Sequence, residues 1–266
     1  MCGRFTLKTP VLDWLESLFP QDPSRLQLLA KALTHSNPLL AAPRYNISPT
    51  QPIWGIIQEQ RDSVLSVNNH RILAMRWGLI PSWADSTKVA YSMINARSET
   101  LLEKPSFKNL ILHHRCAIVA DGYYEWHKPA GDSSADHPKQ PYWIHRSDAK
   151  PFAMAGLWTE NRKAQPNHVL TSATIITTDA NADTAGVHDR MPALLQDPDA
   201  INRWLATATN VEDLMDMLAP AKKGFLGVRP VSTHVNSPRH DGPQLIDAAP
   251  ESYRTNAEIE REDPGR

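Results

Sequence analysis

Twenty-two prolines punctuate the 266 residues of this chain. Each removes a backbone donor that a helix interior or a central strand needs, so each marks a boundary, a turn or a first helical position. Between them lie short runs such as "IWGIIQEQ", "RCAIVADGYYEWHK", "PFAMAGLWTE" and "HVLTSATIITTDAN". These are rich in β-branched and aromatic residues and read as strands recurring at short intervals. "SVLSVNNHRILAMRWGLIPSW" reads as strand, turn, strand, and "PYWIHR" with "PFAMAGLWTE" as a hairpin pair. The final strand falls in "FLGVRPVSTHV".

Helical spacing is sparser. "TPVLDWLESLF" places Val11, Leu12, Leu15, Leu18 and Phe19 on one face, with Thr9 as the candidate cap. "SRLQLLAKALTHS" predicts a helix from Ser24 to about His35. "DPDAINRWLAT" is capped by Asp197 or Asp199, and "NVEDLMDMLAP" by Asn210. Strands outnumber helices, which predicts an α+β fold with a mostly antiparallel sheet rather than a βαβ wrap. One domain is expected over 1–246, with a polar loop at "AGDSSADHPKQ" and a polar, mobile tail over 247–266.

A net charge of −1 carries no global basic signature, so any nucleic-acid contact must rest on a local basic patch. Two cysteines, Cys2 and Cys116, make neither a disulfide framework nor a CxxC metal motif, which fits a reducing cytosol. No signal-peptide pattern and no membrane-length apolar run is present, so a cytoplasmic location is expected.

The candidate chemistry begins at "MCGRF". Loss of an initiator Met before a small Cys leaves Cys2 with a free amine and a thiol on adjacent carbons. An α-amine titrates near ~7.7–8.0, so a useful fraction is neutral at cellular pH. A neutral amine attacks an aldehyde to give a Schiff base, and the neighbouring thiol closes on the imine carbon as a thiazolidine. The plain alternative is a small residue near a chain end. In "NARSET", Asn95 donates and accepts hydrogen bonds and Arg97 suits a phosphate, although a surface loop explains them equally. In "DGYYEWHK", Glu125 lies between Tyr124 and Trp126. A desolvated cleft there would raise its pKa into the general-acid range, whereas the polar face of a strand would leave it ordinary. "GVHDRMP" brings His188, suited to proton transfer near neutral pH, beside Asp189 and Arg190. Trp77 and Trp83 flank a Pro81 turn in "WGLIPSW", as stacking platforms or as core.

Taken in order, "MCGRF", "RYNISPTQ", "WGLIPSW", "INARSET", "KPSFK", "RCAIVADGYYEW", "AGLW", "TIITTDAN", "HDRMP" and "PVSTHVNSP" resemble the SRAP family of abasic-site-processing proteins, over about Met1 to Ile246. The resemblance implies a barrel-like, mostly antiparallel core with flanking helices and a DNA-binding groove. It implies binding to single-stranded DNA and its junctions with duplex, and thiazolidine capture of ring-opened abasic sites by Cys2. It further implies that Asn95 orients the Cys2 end, that Glu125 is the general acid/base, and that His188 acts on the sugar hydroxyl or Schiff base. Arg4, Arg97, Ser98, Thr177 and Arg190 stand at expected phosphate-contact positions, and Pro49 and Trp83 at wedge or stacking positions. Some members carry a second aromatic where this chain has Ala84. Removal of Met1, by the protein itself or by an aminopeptidase, and β-elimination are implied accompanying activities. No metal or cofactor is implied, and a monomer is expected. The tail after Ile246 is a place where a replication-fork protein could bind. Two rivals stand beside this reading: an N-terminal-Cys amidotransferase, which shares only "MCG", and a non-covalent reader of damaged or modified DNA.

Overall fold

The computed structural model describes residues 2–19, 23–59, 66–67, 69–127, 139–207 and 209–249. In chain order the strands are β1 (Arg4–Leu7), β2 (Arg44–Ile47), β3 (Pro52–Gln58), β4 (Ser66–Val67), β5 (His70–Trp77), β6 (Asn95–Arg97), β7 (Arg115–Ala120), β8 (Gly122–His127), β9 (Gln140–Arg146), β10 (Phe152–Asn161), β11 (Leu170–Asp179), β12 (Arg190–Pro192), β13 (Leu194–Leu195) and β14 (Leu226–Pro230). The helices are α1 (Val11–Leu18), α2 (Pro23–Ser36), α3 (Pro38–Ala41), α4 (Pro105–Lys108), α5 (Leu110–His113), α6 (Pro198–Leu205) and α7 (Val211–Asp216). No helix among the described residues is long and apolar enough to cross a membrane.

The strands form two sheets. One has the order β14-β9-β8-β1-β2. In the other, β11-β10-β7-β3-β5 is closed on itself by a β11–β5 pairing, with β4, β6, β12 and β13 attached. This α+β arrangement is mostly antiparallel, as the strand-rich sequence predicts; β11 pairs in parallel with β5 and with β6. Every residue of β7 is buried, as befits a strand covered on both faces.

The chain crosses from the ring to the smaller sheet at Asp121, between β7 and β8. The Asp121 carboxylate is the hinge pin of that corner: it accepts from Thr6 Oγ1, the Lys8 and Thr9 amides and Thr9 Oγ1. Gly122 follows because Trp143 lies across it; a Cβ there would stand 2.1 Å from the indole nitrogen, which donates to Thr6 Oγ1. The β1–β8 register is thereby fixed, with Arg4 opposite Tyr124 and Phe5 opposite Tyr123.

Asp197 and Asn210 cap α6 and α7 through their side chains. Thr9 does not cap α1. Its hydroxyl is taken by Asp121, and Pro10 occupies the cap position without a side-chain bond. The expected β9–β10 hairpin does not form. β9 pairs with β8 and β14, and β10 with β7, β11 and β13. The turn between them, with Ala149 at positive φ and Asp148 gripping Arg146, sends the two strands into different sheets. The last strand stops at Pro230, and a 3-10 turn over Thr233–Asn236, capped by Ser232, replaces its predicted end. Asp247–Ala249, grouped with the tail by sequence, are packed: Ala248 bridges Val231, and the Ala249 amide donates to Pro230 O. The rest of the predicted tail, 250–266, and most of the "AGDSSADHPKQ" loop lie outside the described residues, as does Met1.

Candidate functional site at the junction of the two sheets

Cys2 stands two residues before β1, and β1 is pinned edge-on to β8, so the strand that carries Cys2 runs beside the one that carries Glu125. Phe5 packs edge-to-face on Trp77 of the ring at 5.1 Å, and Trp77 Nε1 donates to Ile94 O. That contact brings β6, and with it Asn95, to the end of β1. Asn95 Nδ2 donates to the Cys2 carbonyl at 2.8 Å. From the far side, the Asn181–His188 turn delivers His188, whose Nε2 lies 3.8 Å from Glu125 Oε2. Asn181 holds this turn by accepting from the Thr184 amide and hydroxyl while its own amide donates to Ala221 O. The four residues singled out for catalysis therefore meet at one place, through two contacts that each bridge the sheets.

Electrostatics follow from burial. Cys2 is fully buried, and desolvation, reinforced by the Glu125 charge, pushes its thiol well above the usual range. Glu125 is 2% exposed; desolvation pushes its carboxyl up to about 7, with the chain's terminal ammonium opposing the rise. At neutral pH such a carboxyl is populated both as acid and as base. Burial lowers the His188 imidazole, favouring its neutral form. The Arg190 amide donates to His188 Nδ1 at 3.0 Å, which makes Nδ1 the acceptor and leaves the ring proton on Nε2, facing Glu125. Asp189 Oδ1, 2.8 Å from the same Nδ1, draws the proton the other way. The amide contact favours the Nε2–H tautomer, because an unprotonated Nδ1 accepts from that amide, whereas Asp189 pairs only with a protonated Nδ1.

The expected phosphate-contact residues divide into two groups. Arg97 is exposed. Arg4 is turned inward, donating to Asn46 Oδ1, Val235 O and Asn236 O, and so ties β1 to the 3-10 turn. Arg190 is held by Glu99, Asp179 and Thr177 O. Ser98 is buried and donates to Glu99. Among the described residues, the buried atoms Thr177 Oγ1 and Asn95 Oδ1 have no hydrogen-bond partner. Trp83 is 62% exposed. Pro49 is half-buried in the turn before Thr50, whose amide donates to Trp77 O. Ala84 is buried, so this side of the loop offers one aromatic rather than two.

Sequence reasoning did not single out Asp121, Asn46 or Glu99. Each pairs with a residue far along the chain, and the only local signal was a polar side chain inside a quoted motif, such as Glu99 in the "SET" of "NARSET".

Comparison with known proteins identifies the family. A family model described as SOS response associated peptidase (SRAP) matches residues 1–238. Among sequence relatives, the abasic site processing protein YoqW of Bacillus subtilis (strain 168) is 37% identical over 249 residues, covering 93% of this chain and 100% of the relative. The abasic site processing protein HMCES of Gallus gallus is 33% identical over 231 residues, covering 77% of this chain and 66% of the relative. Among solved structures, a phage-related protein from Bordetella bronchiseptica superposes with a TM-score of 0.63 at 29% identity, covering 86% of this chain and 94% of its own. A protein from Bacteroides thetaiotaomicron shares the fold, with a TM-score of 0.73 at 22% identity, covering 94% of this chain and 100% of its own. The extent of these matches, with the motif residues gathered at one site, places the chain in the SRAP family.

Proposed function

We propose that this protein captures ring-opened abasic sites in single-stranded DNA, and at its junctions with duplex, as a thiazolidine on Cys2. The observation that carries the reading is the convergence of Cys2, Asn95, Glu125 and His188 from two sheets, with Glu125 buried and poised near neutrality. Two relatives named as abasic site processing proteins support the same substrate class.

Loss of Met1 frees the Cys2 amine. Its lone pair attacks the C1′ aldehyde carbon, and the carbonyl oxygen gains a proton to give a carbinolamine. Protonated Glu125 assists departure of that hydroxyl as water, leaving a protonated imine and a Glu125 carboxylate. The carboxylate then takes the thiol proton; sulfur bonds to C1′ and the C=N pair returns to nitrogen. Aldehyde and aminothiol become thiazolidine and one water, and no redox partner is needed. A buried thiol held far from ionisation requires such a base at the second step. Asn95 fixes the Cys2 carbonyl and offers its Oδ1 to the amine or a sugar hydroxyl. His188, with Nε2 protonated, serves the sugar hydroxyl and the reverse reaction. Arg97 and Thr177 track the phosphates, and Trp83 and Pro49 meet the bases. Self-removal of Met1 and β-elimination from the imine are accompanying activities of the same groups. The protein acts as a monomer on DNA in the cytoplasm.

A denaturing gel tests the proposal. Protein is mixed with a single-stranded oligonucleotide carrying one abasic site, alongside Cys2→Ala and a form retaining an extra N-terminal residue. A heat-stable shifted band from wild type alone is the expected result. No such band from wild-type protein that begins at Cys2 overturns covalent capture in favour of a non-covalent reader. Glutamine hydrolysis by that protein would favour the amidotransferase.

A further inference from the structure

We propose that a hollow beside Trp83, walled by Trp158 and His114, is a further base subsite that takes one unstacked nucleobase from the single-stranded flank of the DNA. This rests on the reading above that the protein holds single-stranded DNA.

The hollow has a volume of about 750 Å³, and its lining includes Ser82, Leu110, His113, His114, Trp158 and Glu160. Side chains alternate along β10. Leu157, Thr159 and Asn161 are buried, whereas Trp158 is half-buried and Glu160 exposed, so the latter two turn to the outside of the ring. There α5 packs against the strand. The Trp158 amide donates to His114 O at 2.9 Å, and the two side-chain rings meet edge to face at 5.1 Å. This wall is therefore fixed before any ligand arrives. Asn161, at the end of the same strand, donates from Nδ2 to Pro81 O at 2.6 Å and to Ala84 O at 2.8 Å. The loop that presents the exposed Trp83 is thus tied to the strand that presents Trp158. Ser82, which lines the hollow, immediately precedes Trp83.

The chemistry of the lining selects a base. Trp158 and Leu110 offer aromatic and apolar surface, and stacking on an aromatic side chain is open to every base because each has a π-face. His114 adds a hydrogen-bond donor. Its Nδ1 is buried and has no hydrogen-bond partner among the described residues. A buried N–H without an acceptor is costlier than a buried lone pair without a donor, so the ring proton belongs on Nε2. Burial also lowers the imidazole, which favours this neutral form. Every base carries a ring-nitrogen or carbonyl acceptor that such a donor can meet. A phosphate is the poorer occupant, because the Arg162 guanidinium at the rim is already paired with Glu160 at 2.9 Å. Phosphates have a separate route. Arg97, Lys104 and Lys108 are exposed, form no ion pair among the described residues, and lie along the segment that leads from β6 to α5 and the hollow.

The test uses the full chain and undamaged single strands, so it is independent of covalent capture. Strands carrying iodouracil at successive positions are irradiated in complex with wild type, and the crosslinked peptides are identified by mass spectrometry. Crosslinks are expected at Trp83 and, further along the strand, at Trp158 or His114. Trp158→Leu is expected to weaken binding of the same strands by about 5- to 150-fold with an unchanged salt slope, and Trp158→Phe, which keeps an aromatic face, to lose far less. Crosslinks that spare both 109–114 and 158–160 overturn the proposal, whether or not the variants fold. So does wild-type affinity in folded Trp158→Leu. So does a salt slope shallower by about 0.7 in that variant, because the hollow would then hold a phosphate. If Trp158 is crosslinked but wild type forms no heat-stable band with an abasic strand, the subsite stands and the capture reading fails; the reverse pair of results removes the subsite alone.

Discussion

Cys2 and Glu125 arrive from the five-stranded sheet, Asn95 and His188 from the closed ring, and the two pairs are held by different means. On the first side the restraint is a buried set of hydrogen bonds and packing contacts. Asp121 gathers four donors from β1 and the residues after it, Trp143 lies over Gly122, and Glu125 is sealed from solvent. On the second side the restraint is ionic and partly wet: Glu99 is 48% and Asp179 77% exposed around the Arg190 fork. Burial controls acidity, because it penalises a charge whatever its direction. A charged fork controls orientation, because it is directional and, near solvent, contributes little to stability. Damage to the first side should therefore appear in pH profiles and unfolding curves, and damage to the second in catalytic geometry.

Glu125→Gln is the severest break. Capture is expected to fall by about 10²–10⁴-fold, and the limb of the wild-type rate profile near pH 7 is expected to vanish. Stability responds in the opposite sense. A raised carboxyl contributes stability that is fully present below its unfolded value of 4.5 and lost as pH climbs through about 7. Gln does not ionise. Across that window the variant should gain on wild type by up to about 3 kcal/mol, read from urea midpoints at pH 5 and pH 8.

Asp121→Ala comes next and tests the hub directly. Removing an acceptor of four hydrogen bonds should cost about 2–4 kcal/mol in urea unfolding, and it should slow capture even where the protein remains folded. Glu99→Gln, by contrast, should cost about 1 kcal/mol or less in the same unfolding experiment. Equal losses from the two variants would break the distinction between the sides. Trp83→Ala should weaken binding to an undamaged strand by about 1–3 kcal/mol and leave the unfolding midpoint almost unmoved. Arg97→Ala is the smallest change: a salt slope shallower by about 0.7 in fluorescence-anisotropy titrations, with the capture chemistry of bound strands preserved.

Much of the candidate site's assembly was legible in the sequence because the residues proposed to react sit in short, ordered motifs. Cys2, Asn95, Glu125 and His188 were selected there, and all four meet. The orientation of the arginines was not legible. Arg4 and Arg190 have the residue type and the place for phosphate contact, yet one turns to Asn46 and Val235 and the other to Glu99, across separations of 42, 231 and 91 residues. No periodicity encodes such partners. The same limit explains the β9–β10 error. Both segments have a strand composition, but the neighbour that each takes depends on β8, β14, β7 and β11, which composition does not specify. Helix ends were better defined where a cap is local, as at Asp197 and Asn210, and failed at Thr9, whose hydroxyl a distant carboxylate had claimed.

The ring is sealed by Ser172 beside Arg76 and Ala173 beside Trp77, strands that begin at residues 70 and 170. That seam makes time part of the design. Contacts so remote in the chain form slowly, because a long loop must be ordered before it is rewarded. Until the seam forms, β11 cannot hold β6 or β12 in place, and Glu125 waits in the smaller sheet without Asn95 or His188. On the capture reading, crosslinking competence is expected to be the last property that a refolding chain acquires. Recovery of the crosslinked band after dilution from urea should follow the slowest phase of tryptophan fluorescence, and a faster recovery would show that the two sheets meet before the ring is closed.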